Sequence, residues 1–393
     1  MSTKNKYILL LIISIVSSLS CDNADKKPLK SYPSDLPVID LRGLIQENKK
    51  EIIPIFSPDD KIEYVPLKDY PEGVGFQDVL VTETHIYVIL SHYLGLLVYD
   101  REGNLLQQHE EPGFHLFELV HDKQNSRVFA SGWSNTWILD EKTGEPLGDA
   151  QTIYHLPAHS VVYPLSSNRL LTLYGKEDTH YSTKVGASIC GYDGSRLTDS
   201  VYIGKGNKEL HACWWSWSTF VMEDGMDDYL FFTFFRNAPF QTIYRTTPEG
   251  IKPAYYLDIE PDTDIRYAWK TGDSLCFIYH LLCQGYILVP TNITLAIYNM
   301  KTGELKSQQL LNKMPSPESN CYLGISNTID NTLPIQMENV SERNQQICYL
   351  LTGKNVQAYL QKEKIRGQRP DFIRTMNTSS DPVVVIINYL HKK

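Results

Sequence analysis

The chain has 393 residues, 21% of them charged and 42% hydrophobic, with a formal net charge of −9. That composition excludes collagen-like, coiled-coil and disordered chains. The charge argues against nucleic acid, and offers little to attract the folded surface to anionic lipid. The 25 Tyr, 23 Gly and 21 Pro point to aromatic strands joined by many turns.

Lys4 and Lys6 precede an apolar run over 7–16 (YILLLIISIV), then small residues, then Cys21. A basic start, about ten apolar residues and small residues before a break read as a secretory signal. The run is shorter than the roughly 20 residues that cross a bilayer as a helix. The pattern predicts cleavage before Cys21, lipid on its sulfur, and an outer-membrane lipoprotein of the cell envelope held to the membrane through that lipid. Ser18 departs from the stricter pattern, which has Leu there, and ordinary secretion with a chance cysteine is the alternative. Loss of residues 1–20 removes two Lys and no acid, so 35 cations face 46 acids and the charge becomes −11. Residues 21–37, with Pro28, Pro33 and Pro37, read as a polar tether. Asp22 and Asp25 beside Lys26 and Lys27 leave open which side of the membrane the body faces. The body is expected to be one domain, 38–393.

Within it an apolar, β-rich run followed by a Gly-containing turn recurs, as LLVYDREGNLL (96–106), TWILDEKTGEPL (136–147), SICGYDGSRL (188–197), TIYRTTPEGIKP (242–253) and LAIYNMKTGELK (295–306). The turn glycines are Gly103, Gly144, Gly194, Gly250 and Gly303, spaced by 41 to 56 residues. Gly supplies positive φ at such turns, which are hairpin chemistry. Second hairpins lie upstream, for example 85–90 against 96–100 and 229–235 against 241–245. Four strands per unit at this period are the signature of a β-propeller. Residues 60–393 allow about 56 residues for each of six blades. The expectation is an all-β, six-bladed propeller of four-stranded antiparallel blades, with five or seven blades less favoured. The stretch 351–364 reads as a strand or as a short helix carrying Val356, Tyr359 and Leu360 on one face. The chain then ends on a β-branched strand, DPVVVIINYL (381–390), and residues 38–41 (VIDL) are the expected N-terminal contribution to the last blade.

The Cys21 signal, the segment DKIEYVPLKDYPEGVGFQDVLVTETHIYVI (60–89), the turn LLVYDREGNLLQQ and the terminal DPVVVIINYL strand together resemble the six-bladed β-propeller (TolB-like) lipoproteins of Bacteroidetes, several of which are domains of unknown function. The resemblance covers roughly 36–393. It implies the propeller fold and life as an envelope lipoprotein, and it carries over no catalytic set. The short segment from Glu111 to Phe114 departs from the pattern, where a Gly-rich turn between blades belongs.

In a four-stranded meander the second-to-third loop and the connection between blades share one face. The first-to-second and third-to-fourth turns share the other. The Asp/Gly turns therefore read as structural, and the candidate binding face carries His92, Tyr93, Trp133, His155, His159, His180, Trp215, Trp217, Arg236, Asn237 and His280. The pair His155 and His159 spans Pro157 and has no carboxylate spaced with it, so loop histidines are favoured over a metal pair. The acids over 223–228 and at Asp262 and Asp264 follow no EF-hand spacing. Trp214, Trp215 and Trp217 form either an aromatic platform or packing between blades, which is the more ordinary use. Cys276 and Cys283 flank an expected hairpin centred near Tyr279 and His280, and form a disulfide or stay buried thiols. There is no G-x-S-x-G, Walker loop, H-E-x-x-H or C-x-x-C, and no cofactor is expected. Three functions follow. The first is a lipid-anchored module binding a peptide, glycan or envelope protein, without nucleic acid. The second is an enzyme, a hydrolase or lyase on a glycan or lactone, with its site at the axial channel. The third is an accessory in an envelope complex.

Overall fold

The computed structural model describes residues 35–42, 44, 56, 59–91, 94–110, 115–132, 136–147, 160–179, 182–193, 195–207, 217–224, 228–235, 240–260, 263–281, 293–310, 324–325, 329, 333, 335–336, 341–343, 346–362, 373, 376 and 381–388. Two short N-terminal strands, β1 (Val38–Asp40) and β2 (Lys61–Pro66), precede the repeating units. Blade one is β3 (Phe76–Val81), β4 (His85–Leu90), β5 (Leu96–Asp100) and β6 (Leu105–His109), antiparallel in that order. Blade two is β7 (Leu116–Asp122), β8 (Arg127–Gly132) and β9 (Thr136–Asp140). Among the described residues its fourth strand shows one bridge, Leu139 to Pro146. Blade three is β10 (Ser160–Leu165), β11 (Arg169–Thr179), β12 (Ser182–Gly191) and β13 (Val201–Asn207). Blade four is β14 (Trp217–Glu223), β15 (Tyr229–Phe235), β16 (Phe240–Thr247) and β17 (Gly250–Asp258). Blade five is β18 (Thr263–Thr271), β19 (Ser274–Leu281), β20 (Ile293–Asn299) and β21 (Leu305–Leu310). A two-stranded hairpin, β22 (Gly324–Ile325) with β23 (Ile335–Gln336), follows. Blade six is β24 (Ser341–Arg343), β25 (Gln346–Leu351) and β26 (Val383–Asn388), with β2 as its outermost strand. The molecule is a six-bladed β-propeller, as the repeat predicts.

Alternation explains why the blades need each other. Successive side chains of a strand point to opposite faces of its sheet. In β26, Val383, Val385 and Ile387 join a core shared with blade five, including Cys276, Ile278 and Leu295. Val384 and Ile386 join a core shared with blade one, including Val79, Val81 and Val88. β4 divides in the same way, and all six of its residues are buried. A sheet buried on both faces reads as a continuous apolar run, which is the sequence seen in 85–90 and 383–387.

Two expectations need correction. Residues 38–41 do not close the ring: β1 pairs parallel with β17, as a fifth strand of blade four, with Ile39 opposite Leu257. The closing strand is β2, antiparallel to β26 over Lys61–Pro66. No turn interrupts Tyr279 and His280, because β19 runs extended to Leu281 between β18 and β20. Cys276 is buried in that strand, opposite Trp269 and Ile297, and Cys283 lies outside the described residues. The short helix expected before the closing strand is present: 353–362 is helix α1 (Gly353–Lys362), inserted between β25 and β26, with Val356 in the core.

The turns repeat their chemistry. Asp140 Oδ1 accepts from the amides of Lys142 and Thr143, at 2.9 Å each. Asn299 Oδ1 does the same for Lys301 and Thr302, at 3.0 and 2.9 Å. Asp100 Oδ1 accepts from Glu102 and Asn104. Asx side chains cap turns in this way. Gly144, Gly303 and Gly103 follow with φ of 74°, 73° and 79°.

Candidate functional site

Strand direction sorts the connections. In each blade the second strand ends and the third begins at one end of the ring, where the fourth strand also ends and the next blade's first strand begins. The short first-to-second and third-to-fourth turns leave the other. α1 and the extension of β11 and β12 also lie at the loop-bearing end.

Two of the sequence-predicted site residues have a described backbone position there. Trp217 opens β14 opposite Phe235, and His280 lies one residue before the end of β19, opposite Asp264 and Ile293. His92, Tyr93, Trp133, His155, His159, His180, Trp215, Arg236 and Asn237 lie outside the described residues, as does Cys21. The acidic stretch 223–228 is a hairpin turn between β14 and β15, closed by Asp224 N donating to Asp228 O at 2.7 Å. Among the described residues no three His, Cys, Asp or Glu side chains gather to hold a metal ion.

A charged cluster that the sequence did not reveal pins the N-terminal arm at this end. Arg42 Nε and Nη2 donate to both oxygens of Asp40, at 3.0 Å each, and Nη2 lies 2.8 Å from Asp258. Asp258 is 3% exposed and Arg42 37%. The guanidinium beside Asp40 holds that carboxyl below its ordinary range. The Tyr279 hydroxyl donates to Leu41 O at 3.4 Å, and burial, aided by the Asp40 carboxylate, pushes that hydroxyl above its ordinary value. The fork of Arg42 is engaged by two carboxylates, so the cluster fixes β1. Asp258 lies more than 200 residues from Arg42, and no local pattern links them.

Inner-strand carboxylates tie neighbouring blades together. Asp78 Oδ2 in β3 accepts from Leu119 N of β7 at 2.8 Å, and its Oδ1 accepts from Val79 N at 2.9 Å. Glu118 of β7 accepts from the Tyr163 hydroxyl of β10. Each of these carboxylates binds a donor from the next blade's inner strand.

At the opposite end, blades one and two pack on each other. His121 Nε2 lies 3.1 Å from Glu141 Oε2, with the His side chain 2% exposed. The Glu141 carbonyl accepts from Thr84 Oγ1 at 3.0 Å and the Tyr87 hydroxyl at 3.2 Å, and His85 Nδ1 lies 2.8 Å from it. Burial, with the Glu141 and Asp140 carboxylates adding, pushes the Tyr87 hydroxyl above its ordinary value. The turn of blade two thus rests on blade one.

No family model matches the chain, and no curated protein matches it. Solved structures do. A Bacteroides fragilis NCTC 9343 protein described as exported aligns at 11% identity over 86% of this chain and 98% of its own, with a TM-score of 0.54. Virginiamycin B lyase of Staphylococcus aureus aligns at 11% identity over 84% of this chain and 100% of its own, with a TM-score of 0.42. The extracellular domain of a one-component system of B. thetaiotaomicron aligns at 12% identity over 63% of this chain and 32% of its own, with a TM-score of 0.36. No described helix is long and apolar enough to cross a membrane. What the Bacteroides fragilis protein shares with this chain is the fold.

Proposed function

We propose that this chain is a lipid-anchored propeller of the cell envelope, on the outer membrane, that binds a peptide, a glycan or a partner protein through its loop-bearing end. One observation carries the reading: the two ends of the ring differ. One end is finished by short Asx-capped turns packed on the neighbouring blade. At the other, second strands end and third strands begin, and α1 and the extension of β11 and β12 lie there. A rigid ring that holds variable loops at one mouth is how binding groups are positioned on such scaffolds. The export described for the Bacteroides fragilis protein supports the route that the Cys21 signal implies.

Two measurements test it. Cys21→Ser in the full chain moves it from the membrane fraction to the soluble fraction, and persistence in membranes refutes the lipid anchor. The full chain probed on glycan and peptide arrays retains a ligand that His92→Ala plus Arg236→Ala weakens by about tenfold or more, the scale of losing one or two polar contacts. Binding that survives the double substitution sinks this placement of the site.

A further inference from the structure

β11 and β12 outrun the inner strand of their blade. β10 pairs with β11 only as far as Tyr174, opposite Ser160. β11 continues to Thr179 against β12, and β12 pairs onward with β13. About five residues of ladder, roughly 16 Å at the usual rise, stand past β10 at the loop-bearing end.

Register composes this flap. Lys176 lies opposite Lys184, and Lys184 lies opposite Lys205. Directly opposed residues of an antiparallel ladder share a face, and like charges so placed destabilise it. Two positions along β11 and β12, and three along β13 across a bulge, the same face carries Tyr174 opposite Gly186, and Gly186 opposite Tyr202. The Tyr174 ring lies over Gly186: a Cβ there would come within 2.8 Å of its Cζ and hydroxyl. Tyr202 is 56% exposed.

We propose that the flap of blade three, where Lys176, Lys184 and Lys205 form one cross-strand row beside Tyr174 and Tyr202, binds an acidic saccharide bearing carboxylate or sulfate groups. The inference rests on the reading that the loop-bearing end binds ligands, and it names the ligand class. Three cations in one row work against the local ladder, and a bound anion removes that cost. The tyrosines next to the row offer flat apolar faces to a sugar ring, with hydroxyls at the edge. A chain of net charge −9 repels a nucleic acid, whose phosphates are dense and continuous. A short saccharide with spaced acids meets only the local row, within a Debye length of about 8–10 Å.

The test uses the full chain with oligogalacturonate and a heparin-derived oligosaccharide as probes, against maltooligosaccharide and single-stranded oligothymidylate. Wild type binds at least one acidic saccharide, more weakly as salt rises. Lys184→Glu weakens that binding by about tenfold or more, while its melting temperature holds or rises because the row loses its repulsion. Gly186→Ala, which displaces the Tyr174 ring, weakens binding with every lysine in place. The proposal is overturned if neither acidic saccharide binds wild type, if Lys184→Glu leaves binding unchanged, if oligothymidylate binds more tightly than both, or if Lys184→Glu loses binding and stability together. Binding of a peptide or neutral glycan that needs His92 and Arg236 but ignores Lys184→Glu overturns the flap and leaves the wider reading standing. Acidic-saccharide binding lost in Lys184→Glu but kept in His92→Ala plus Arg236→Ala supports the flap and overturns the placement at those loops.

Discussion

A chain beginning at residue 68 loses its cooperative unfolding transition, whereas one beginning at residue 37 melts like the full chain. β2 supplies the outermost strand of blade six, paired residue for residue with β26 from Lys61 and Asn388 to Pro66 and Val383. Val65 and Leu67 enter the core that blade six shares with blade one, at 5% and 0% exposure. Leu67 N donates to Pro382 O at 2.9 Å, and Arg101 of blade one pairs with Glu63 at 3.0 Å. Burying two such aliphatic side chains contributes about 3–6 kcal/mol together. Each ladder hydrogen bond adds about 0.5–1.5 kcal/mol net. The sum approaches the about 5–15 kcal/mol that holds a whole domain folded. Removal also exposes the edge of β26, a β-branched run that would pair with other chains. Thermal unfolding followed by tyrosine and tryptophan fluorescence reads the outcome. A truncated chain with one sharp transition within a few degrees of wild type would show that the ring does not need this strand.

That closing strand also marks where the sequence stopped being informative. The repeat of β-rich run and Gly turn was legible because each copy obeys local rules: period-two strands, an Asx cap and a positive-φ glycine. Which N-terminal segment completes the last blade is not a local property. VIDL at 38–41 looks the better strand, being β-branched and apolar, and it is indeed buried at Ile39 and Leu41. It pairs with blade four at Asp258 and accepts from Tyr279 of blade five, partners more than 200 residues away. KIEYVP at 61–66 looks polar because an outermost strand exposes Lys61, Glu63 and Pro66 and needs only half its residues inside. The same limit hid most of the candidate site. Lys176, Lys184 and Lys205 are separated by eight and 21 residues, with no period to connect them. Only the ladder register brings them into one row. The bend expected at Tyr279 and His280 failed for a related reason. Polar residues late in a long strand resemble a turn until the neighbouring strands that pair with them are known.

Gly103→Ala is the sharper probe of the seam between blades one and six, because Gly303→Ala is its built-in control. Both glycines close Asx-capped turns at nearly the same φ, 79° and 73°. Adding a Cβ to a left-handed residue costs about 1–2 kcal/mol in either place. At Gly303 the nearest atom to such a Cβ is the Tyr298 hydroxyl at 4.0 Å, so nothing further is added. At Gly103 the Cβ would lie 2.0 Å from Pro66 O, 3.0 Å from Pro66 C and 3.2 Å from Val65 Cγ1. Those atoms belong to the closing strand, and two of them are backbone held by the ladder with β26, so they cannot swing aside. The right-handed twist of the blades brings the turn of one against the outer strand of the preceding one. Gly144 likewise faces blade one, its Cβ position 3.2 Å from Gln107 Oε1 of the outer strand β6 and 2.8 Å from Val98 Cγ1 of β5. Gly303→Ala therefore lowers the unfolding free energy by about 1–2 kcal/mol. Gly103→Ala lowers it by about 2–5 kcal/mol, strain plus an overpacked contact. Hydrogen exchange at the amides of residues 61–65 rises in the Gly103 variant and not in the Gly303 variant, since only the first pushes on the strand that locks the ring. Equal losses of stability in the two variants would mean that the turn of blade one does not press on the closing strand in solution.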